Sequence, residues 1–297
     1  MRYPEPARRA VPVAAVLGSV LSIQFGAAFA STLFDRVGAA GTVTLRLVIG
    51  AIVLCAVARP ASMARSTTRA AARRWTRAEW RGVLALGASL AVMNAFFYEA
   101  IARLPLAVAV TIEFLGPLTL AAVLSRRLRD GLWVLLALAG VVLLGVGGNG
   151  FDSAALDPLG VACALVAASG WAWYIVAGSH VATNLAGTAA LAGATTVAAV
   201  AVLPFGVAAG GTELLSPGIL AAGFGVAMLS SVIPYSLEIR ALRDLPKGVF
   251  AILIALEPAA AALAGSVVLG QFVDLPAAVG IALVIVAGVG ALRGSRI

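Results

Sequence analysis

Ten stretches of about twenty apolar residues, each closed by a short group of charged or turn-forming residues, constrain this chain more than any other feature. They fall at 11–34, 39–58, 82–102, 105–125, 131–149, 157–179, 188–209, 217–239, 247–269 and 276–292. A helix needs about 20 such residues to cross the hydrocarbon of a bilayer. In lipid the backbone must satisfy its own hydrogen bonds, and a helix does so within one segment. Only 11% of the 297 residues are charged, too few to solvate the surface of a soluble domain of this length. The pattern predicts an all-α integral membrane protein of ten spans, with no segment left for a separate soluble domain.

The net charge of +8 does not point to nucleic acid, because the arginines gather in short clusters between the apolar runs. With the N-terminus in the cytoplasm and the spans alternating, eighteen of the 21 basic residues fall on the cytoplasmic side. Arg36 and Arg103 fall outside, with Asp35, Asp152, Asp157, Glu213 and Asp274, and Arg46 lies within a span. Positive charge is retained on the cytoplasmic face of membrane proteins, so both termini are expected there. Arg8-Arg9, an apolar run and Ala28-Phe29-Ala30-Ser31 imitate a cleavable signal. The run from Val11 to Phe34 is too long for a signal core, and it is read as an uncleaved first span. Cys55 and Cys163 lie inside apolar runs without metal spacing and read as packing residues.

The chain also repeats itself. Arg103-Leu104-Pro105 and Asp244-Leu245-Pro246 are separated by 141 positions, as are Pro117 and Pro258, and Gly147 and Gly288. Two related halves are expected, at 1–150 and 151–297. Five spans per half is an odd number, so the halves must insert with opposite orientation. Inverted repeats are a recurring transporter architecture, with substrate held near the midplane between the halves.

An ionisable side chain in hydrocarbon is costly and asks for a partner or a purpose. Arg46 and Glu113 lie about seven and eight residues from the outer ends of their spans, hence at about 10 and 12 Å depth. They could form an ion pair that fixes packing. They could equally form a site for a zwitterion, the guanidinium taking a carboxylate and the carboxylate an ammonium. Glu257 lies about ten residues, or about 15 Å, into its span and is followed by Pro258. Proline removes one helical hydrogen bond and frees the carbonyl four residues earlier, here those of Glu113 (from Pro117) and Ile254 (from Pro258). Each half thus places an acid beside a broken helix at mid-depth. Glu257 has no basic residue at its level, which makes it the candidate proton carrier. Glu99 and Glu238 read as rim residues beside Arg103 and beside Arg240 and Arg243.

Several uncharged polar and aromatic residues reach mid-depth. Gln24 in the first span, Asn94 and Tyr98 in the third, Trp171 and Tyr174 in the sixth and Tyr235 in the eighth are candidates to line a substrate cavity. Trp171 and Tyr174 share one helix face at i, i+3 spacing. The glycine-rich fifth and tenth spans suit close helix packing or dimer contact. No metal cluster, phosphate loop or nucleophile–base pair is legible, so neither cofactor nor enzymatic chemistry is expected.

Met93-Asn94-Ala95-Phe96-Phe97-Tyr98, Leu104-Pro105-Leu106 and Glu113-Phe114-Leu115-Gly116-Pro117-Leu118 resemble the threonine/homoserine exporter branch of the EamA family, within the drug/metabolite transporter superfamily. Ser22-Ile23-Gln24, Leu45-Arg46-Leu47, Pro234-Tyr235-Ser236-Leu237-Glu238 and Leu256-Glu257-Pro258-Ala259 extend the resemblance through nearly the whole chain. It implies a ten-helix inverted-repeat fold in the bacterial inner membrane and proton-driven export of threonine, homoserine or related small amino acids. Where that family commonly has Leu-Gly-Glu after the ninth span, this chain has Leu269-Gly270-Gln271. Two further readings remain: the same fold exporting another small metabolite or drug, and a membrane enzyme or non-transporting partner subunit.

Overall fold

The computed structural model describes residues 5–64, 75–125, 128–146, 156–184, 187–234 and 247–294, with Leu237, Glu238, Ala241 and Leu245 between the last two. In chain order the helices are α1 (Glu5–Ser31), α2 (Phe34–Ala64), α3 (Arg77–Ile101), α4 (Leu106–Glu113), α5 (Leu115–Ser125), α6 (Leu128–Val146), α7 (Pro158–Asn184), α8 (Gly187–Gly210), α9 (Pro217–Ala227), α10 (Lys247–Ile254), α11 (Glu257–Leu269) and α12 (Leu275–Gly294). A 3₁₀ turn, Gly211–Leu215, joins α8 to α9, and a π-helical turn, Met228–Val232, continues α9. Among the described residues seven apolar helical segments are long enough to cross a membrane, and three shorter ones, in α6, α9 and α12, complete the ten runs. The fourth run is α4 and α5 in succession, and the ninth is α10 and α11.

The outward surface is oily. Ile52, Val142, Val200, Phe205 and Val267 each stand more than half exposed. In water such a surface would aggregate, whereas lipid accepts it. Inside, α2 packs on α8, α3 on α7 and α8, and α6 on α12. The first helix packs against α9, its π turn, α10 and α11, while α4 meets α7 and α11. One large apolar cluster joins α2, α3, α4, α7 and α8, and a smaller one gathers Phe114, Leu115 and Leu118 with Ala255 and Ala287.

Helices in lipid associate through close packing, so small residues sit where backbones approach. A methyl group built on Gly140 would lie 2.6 Å from the Gly280 carbonyl, and one on Gly290 would lie 2.5 Å from the Trp133 ring. Gly140 of the fifth span and Gly290 of the tenth are therefore engaged within one chain, α6 against α12. Gly38 has φ of 69° inside α2 and lets the chain turn into the span after a short lead.

Polar contacts tie the connections at one end of the bundle. Arg36, after α1, pairs with Glu213, after α8. Arg103, after α3, lies 3.3 Å from Glu99 and 3.9 Å from Asp157, which precedes α7. The Gln271 side-chain oxygen accepts from the Leu106 N–H at 3.0 Å, capping the first turn of α4 with a residue from the α11–α12 connection.

Candidate functional site between two broken helices

The eighth run explains where Arg46 sits. In the π turn the Ile233 N–H reaches the Met228 carbonyl, which leaves the Leu229 carbonyl without its α-helical donor. Pro234 follows and has no N–H, so the Ser230 carbonyl loses its donor as well. Buried carbonyls must be satisfied elsewhere, and neighbouring spans supply the donors. Ser22 of α1 donates to the Leu229 carbonyl at 2.7 Å, and an Arg46 terminal nitrogen donates to the Ser230 carbonyl at 3.1 Å. Arg46 Nε reaches the Ser231 hydroxyl at 3.4 Å, and the guanidinium carbon stands 5.6 Å from the centre of the Tyr98 ring. Both side chains are deeply buried, Arg46 at 8% exposure and Tyr98 at 0%.

Glu113 ends α4, and the chain turns at Phe114 before α5 begins. Pro117 cannot donate to the Glu113 carbonyl, and the bond from Leu118 N–H to the Phe114 carbonyl is stretched to 3.4 Å. Glu113 is 8% exposed and lies within electrostatic reach of Arg46. No ion pair closes between them. The guanidinium instead uses a carbonyl, a hydroxyl and a ring, partners that leave its positive charge unneutralised. This is the arrangement that a bound carboxylate would complete.

Glu257 opens α11 after a turn at Ala255 and Leu256. It is as buried as Glu113, and among the described residues the charged groups that act on it are Glu113 and Glu238, both acids. The two breaks share one apolar cluster: Phe114 from the first and Ala255 from the second lie in it, and a methyl on Gly288 would stand 2.8 Å from the Phe114 ring and 3.2 Å from Ala255.

The other expected cavity residues divide. The Gln24 carbonyl oxygen and the Tyr98 hydroxyl are buried without a hydrogen-bond partner, as is the Ser230 hydroxyl. Leaving such a group unpaired costs about 1–3 kcal/mol, so each is available to a polar ligand. Asn94 is buried too, but its amide donates to the Leu90 carbonyl of its own helix at 2.8 Å. Trp171 packs edge-on against Phe114 at 6.0 Å, at the break itself, whereas Tyr174 packs against the large core. Tyr235 lies outside the described residues, as do Arg240 and Arg243. Glu238, read as a rim residue, accepts a 2.5 Å hydrogen bond from Ser19 of α1. Ser19, Ser230 and Ser231 were not among the residues picked out by sequence. The last two had a signal, because Pro234 frees the Ser230 carbonyl by the same rule that applies to Pro117 and Pro258.

The sequence resembles those of two exporters. The threonine/homoserine exporter RhtA of Salmonella typhimurium (strain LT2) is 38% identical over 261 residues, 88% of this chain and 84% of the relative. The RhtA of Escherichia coli (strain K12) is 37% identical over the same shares. Residues 158–292 match the EamA-like transporter family. The chain belongs to the EamA family. It is a multi-pass membrane transporter, not an enzyme. One solved crystal structure superposes with a TM-score of 0.56 over 96% of this chain and 95% of the other, at 22% identity, a likeness of fold alone.

Proposed function

We propose that this EamA protein exports small amino acids of the threonine and homoserine kind across the inner membrane, by proton antiport. The observation that carries the reading is Arg46, a buried guanidinium with unneutralised charge, within electrostatic reach of an acid at a helix break. A zwitterion fits that pair in one orientation. Its carboxylate meets Arg46, and its ammonium meets Glu113 and the carbonyl end of α4, where the helix dipole is negative. The similarity to exporters named for threonine and homoserine points to the same substrates. Gln24, Tyr98 and Trp171 would line the space between, with Asn94 and Tyr174 at its margin. Counterflow of radiolabelled threonine in proteoliposomes tests this directly. No exchange by well-folded protein, with exchange of an unrelated metabolite instead, would move the substrate to another class.

The reading includes two inverted halves, 1–150 and 151–297, with both termini cytoplasmic. Contacts between helices support the inversion, because each major one has a counterpart five spans along. The α3–α7 pair answers to the contact of α9 and its π turn with α1, and α3–α8 answers to α9–α2. The contact of α7 with α4 and α5 answers to that of α1 with α10 and α11, while α2–α8 and α6–α12 map onto themselves. The orientation gains support from Arg36 and Arg103, the two basic residues outside, since each is paired with an acid. Cysteines introduced at 68 and 296 should resist labelling from outside and one at 154 should label. Ready labelling at 68 would invert the topology.

Glu257 is proposed as the proton carrier. An exporter working against a gradient needs a group that loads a proton outside and releases it inside. Among the described residues, the charged groups that act on Glu257 are Glu113 and Glu238, both acids, so no cation among them competes with the proton for it.

A further inference from the structure

We infer that Pro234 is a positioning residue for the substrate anchor, acting through the backbone it leaves unbonded. Nothing about a proline in an apolar span suggests recognition of a polar ligand, and its ordinary reading is a kink. The geometry says more. The proline follows a π turn, and the combination strips donors from two successive carbonyls, Leu229 and Ser230. These two carbonyls receive side chains from two other spans, Ser22 from α1 and Arg46 from α2. The free carbonyls therefore act as a socket. Arg46 has a long, flexible side chain that could otherwise take several rotamers, and Ser230 and Tyr98 hold its fork in one place.

A carbonyl is a suitable resting partner for this arginine. It is neutral, so it orients the guanidinium without cancelling its charge, whereas an acid would compete with the incoming carboxylate. The same carbonyls also bear on α1. A methyl on Gly26 would run into the Ser230 hydroxyl, so α1 presses closely onto the turn that holds Arg46. Ser22 and Gly26 are one helical turn apart, and both face it.

The inference rests on the reading that Arg46 takes the substrate carboxylate, and its test separates the two. Pro234→Ala supplies the missing N–H, which will compete for the Ser230 carbonyl and release Arg46. KM for threonine counterflow should rise about tenfold, with kcat changing less than twofold. An ester unit at 234, introduced as lactic acid, has alanine's methyl but, like proline, no N–H. It should return KM to within about twofold of wild type. A raised KM with the ester as well would assign the effect to the proline ring and overturn the inference, and so would an unchanged KM in Pro234→Ala. The ester prediction stands even if Pro234→Ala fails to accumulate in the membrane. Arg46→Gln is measured alongside. If it binds threonine like wild type, the carboxylate reading fails. If it loses binding while Pro234→Ala does not, only the role of Pro234 fails.

Discussion

The two broken helices carry the same device, an acid beside a proline, with opposite polarity. Glu113 is the last residue of α4, so it stands at the end of a half-helix where carbonyls point outward. Glu257 is the first residue of α11, at the end where N–H groups point outward. Their charged surroundings differ too: among the described residues Arg46 acts on Glu113, whereas the groups that act on Glu257 are acids. A carbonyl-rich end with a neighbouring guanidinium suits a substrate that carries both charges. A break where acids face one another suits a group that must change its own charge. The difference lies in the spacing of acid and proline: Glu113 stands four residues before Pro117 and so closes the helix ahead of the break, whereas Glu257 stands directly before Pro258 and opens the helix after it.

The largest effect that this contrast predicts is on coupling. Glu257→Gln keeps size and polarity but cannot titrate. Gradient-driven threonine uptake into inverted vesicles should fall to the background of empty vesicles, while counterflow exchange persists. Wild-type gradient-driven uptake by well-folded Glu257→Gln would remove this acid from the mechanism. Next in size is Glu113→Gln, which removes the partner proposed for the substrate ammonium. A charge-assisted hydrogen bond contributes about 1.5–3 kcal/mol, so apparent affinity should drop about 10- to 100-fold in both exchange and driven transport. A variant that bound normally but lost only gradient coupling would reverse the roles given to the two acids.

Arg46→Lys sharpens the Glu113 side of the comparison. It retains positive charge but loses the planar fork that can bond a carboxylate and the Ser230 carbonyl together. Apparent affinity should weaken by about tenfold, with protein abundance in the membrane little changed. Equal loss of abundance and activity would make the arginine a structural residue.

The apolar runs were enough to locate the described helices, since lipid leaves a spanning backbone few alternatives. The proline rule was nearly as good for the breaks: it freed the carbonyls of Glu113 and Ile254, and the chain turns one residue later, at Phe114 and Ala255. The π turn was not legible. Its register depends on which carbonyl the Ile233 N–H chooses, and that choice is shaped by Ser22 and Arg46 from distant parts of the chain. Asn94 illustrates a second limit. Depth suggested a cavity residue, but an amide on a helix can bond its own preceding turn, as Asn94 does with Leu90. Trp171 and Tyr174 share a helix face by spacing, yet they meet different clusters because their rings reach in different directions.

The smallest predicted effect separates the two breaks themselves. Pro117 and Pro258 both lie in the first turn of the helix after the break, the third residue of α5 and the second of α11. Proline is tolerated there because first-turn N–H groups have no partner within their own helix. Pro117→Ala and Pro258→Ala should therefore change thermal stability in detergent little, by less than about 1 kcal/mol. Each nevertheless adds one N–H that can reach back across the break, to Glu113 in the first case and to Ile254 in the second. In the first break the recovered bond takes a carbonyl from the end of α4 proposed to face the substrate ammonium, so threonine affinity should weaken by a few-fold, about 0.5–1 kcal/mol. In the second the carbonyl belongs to α10, on the far side of the break from Glu257, and exchange affinity should not move. Any change there belongs in the rate of gradient-driven transport. Equal affinity losses in the two variants would mean that both breaks bind substrate and that the division of labour between them is wrong.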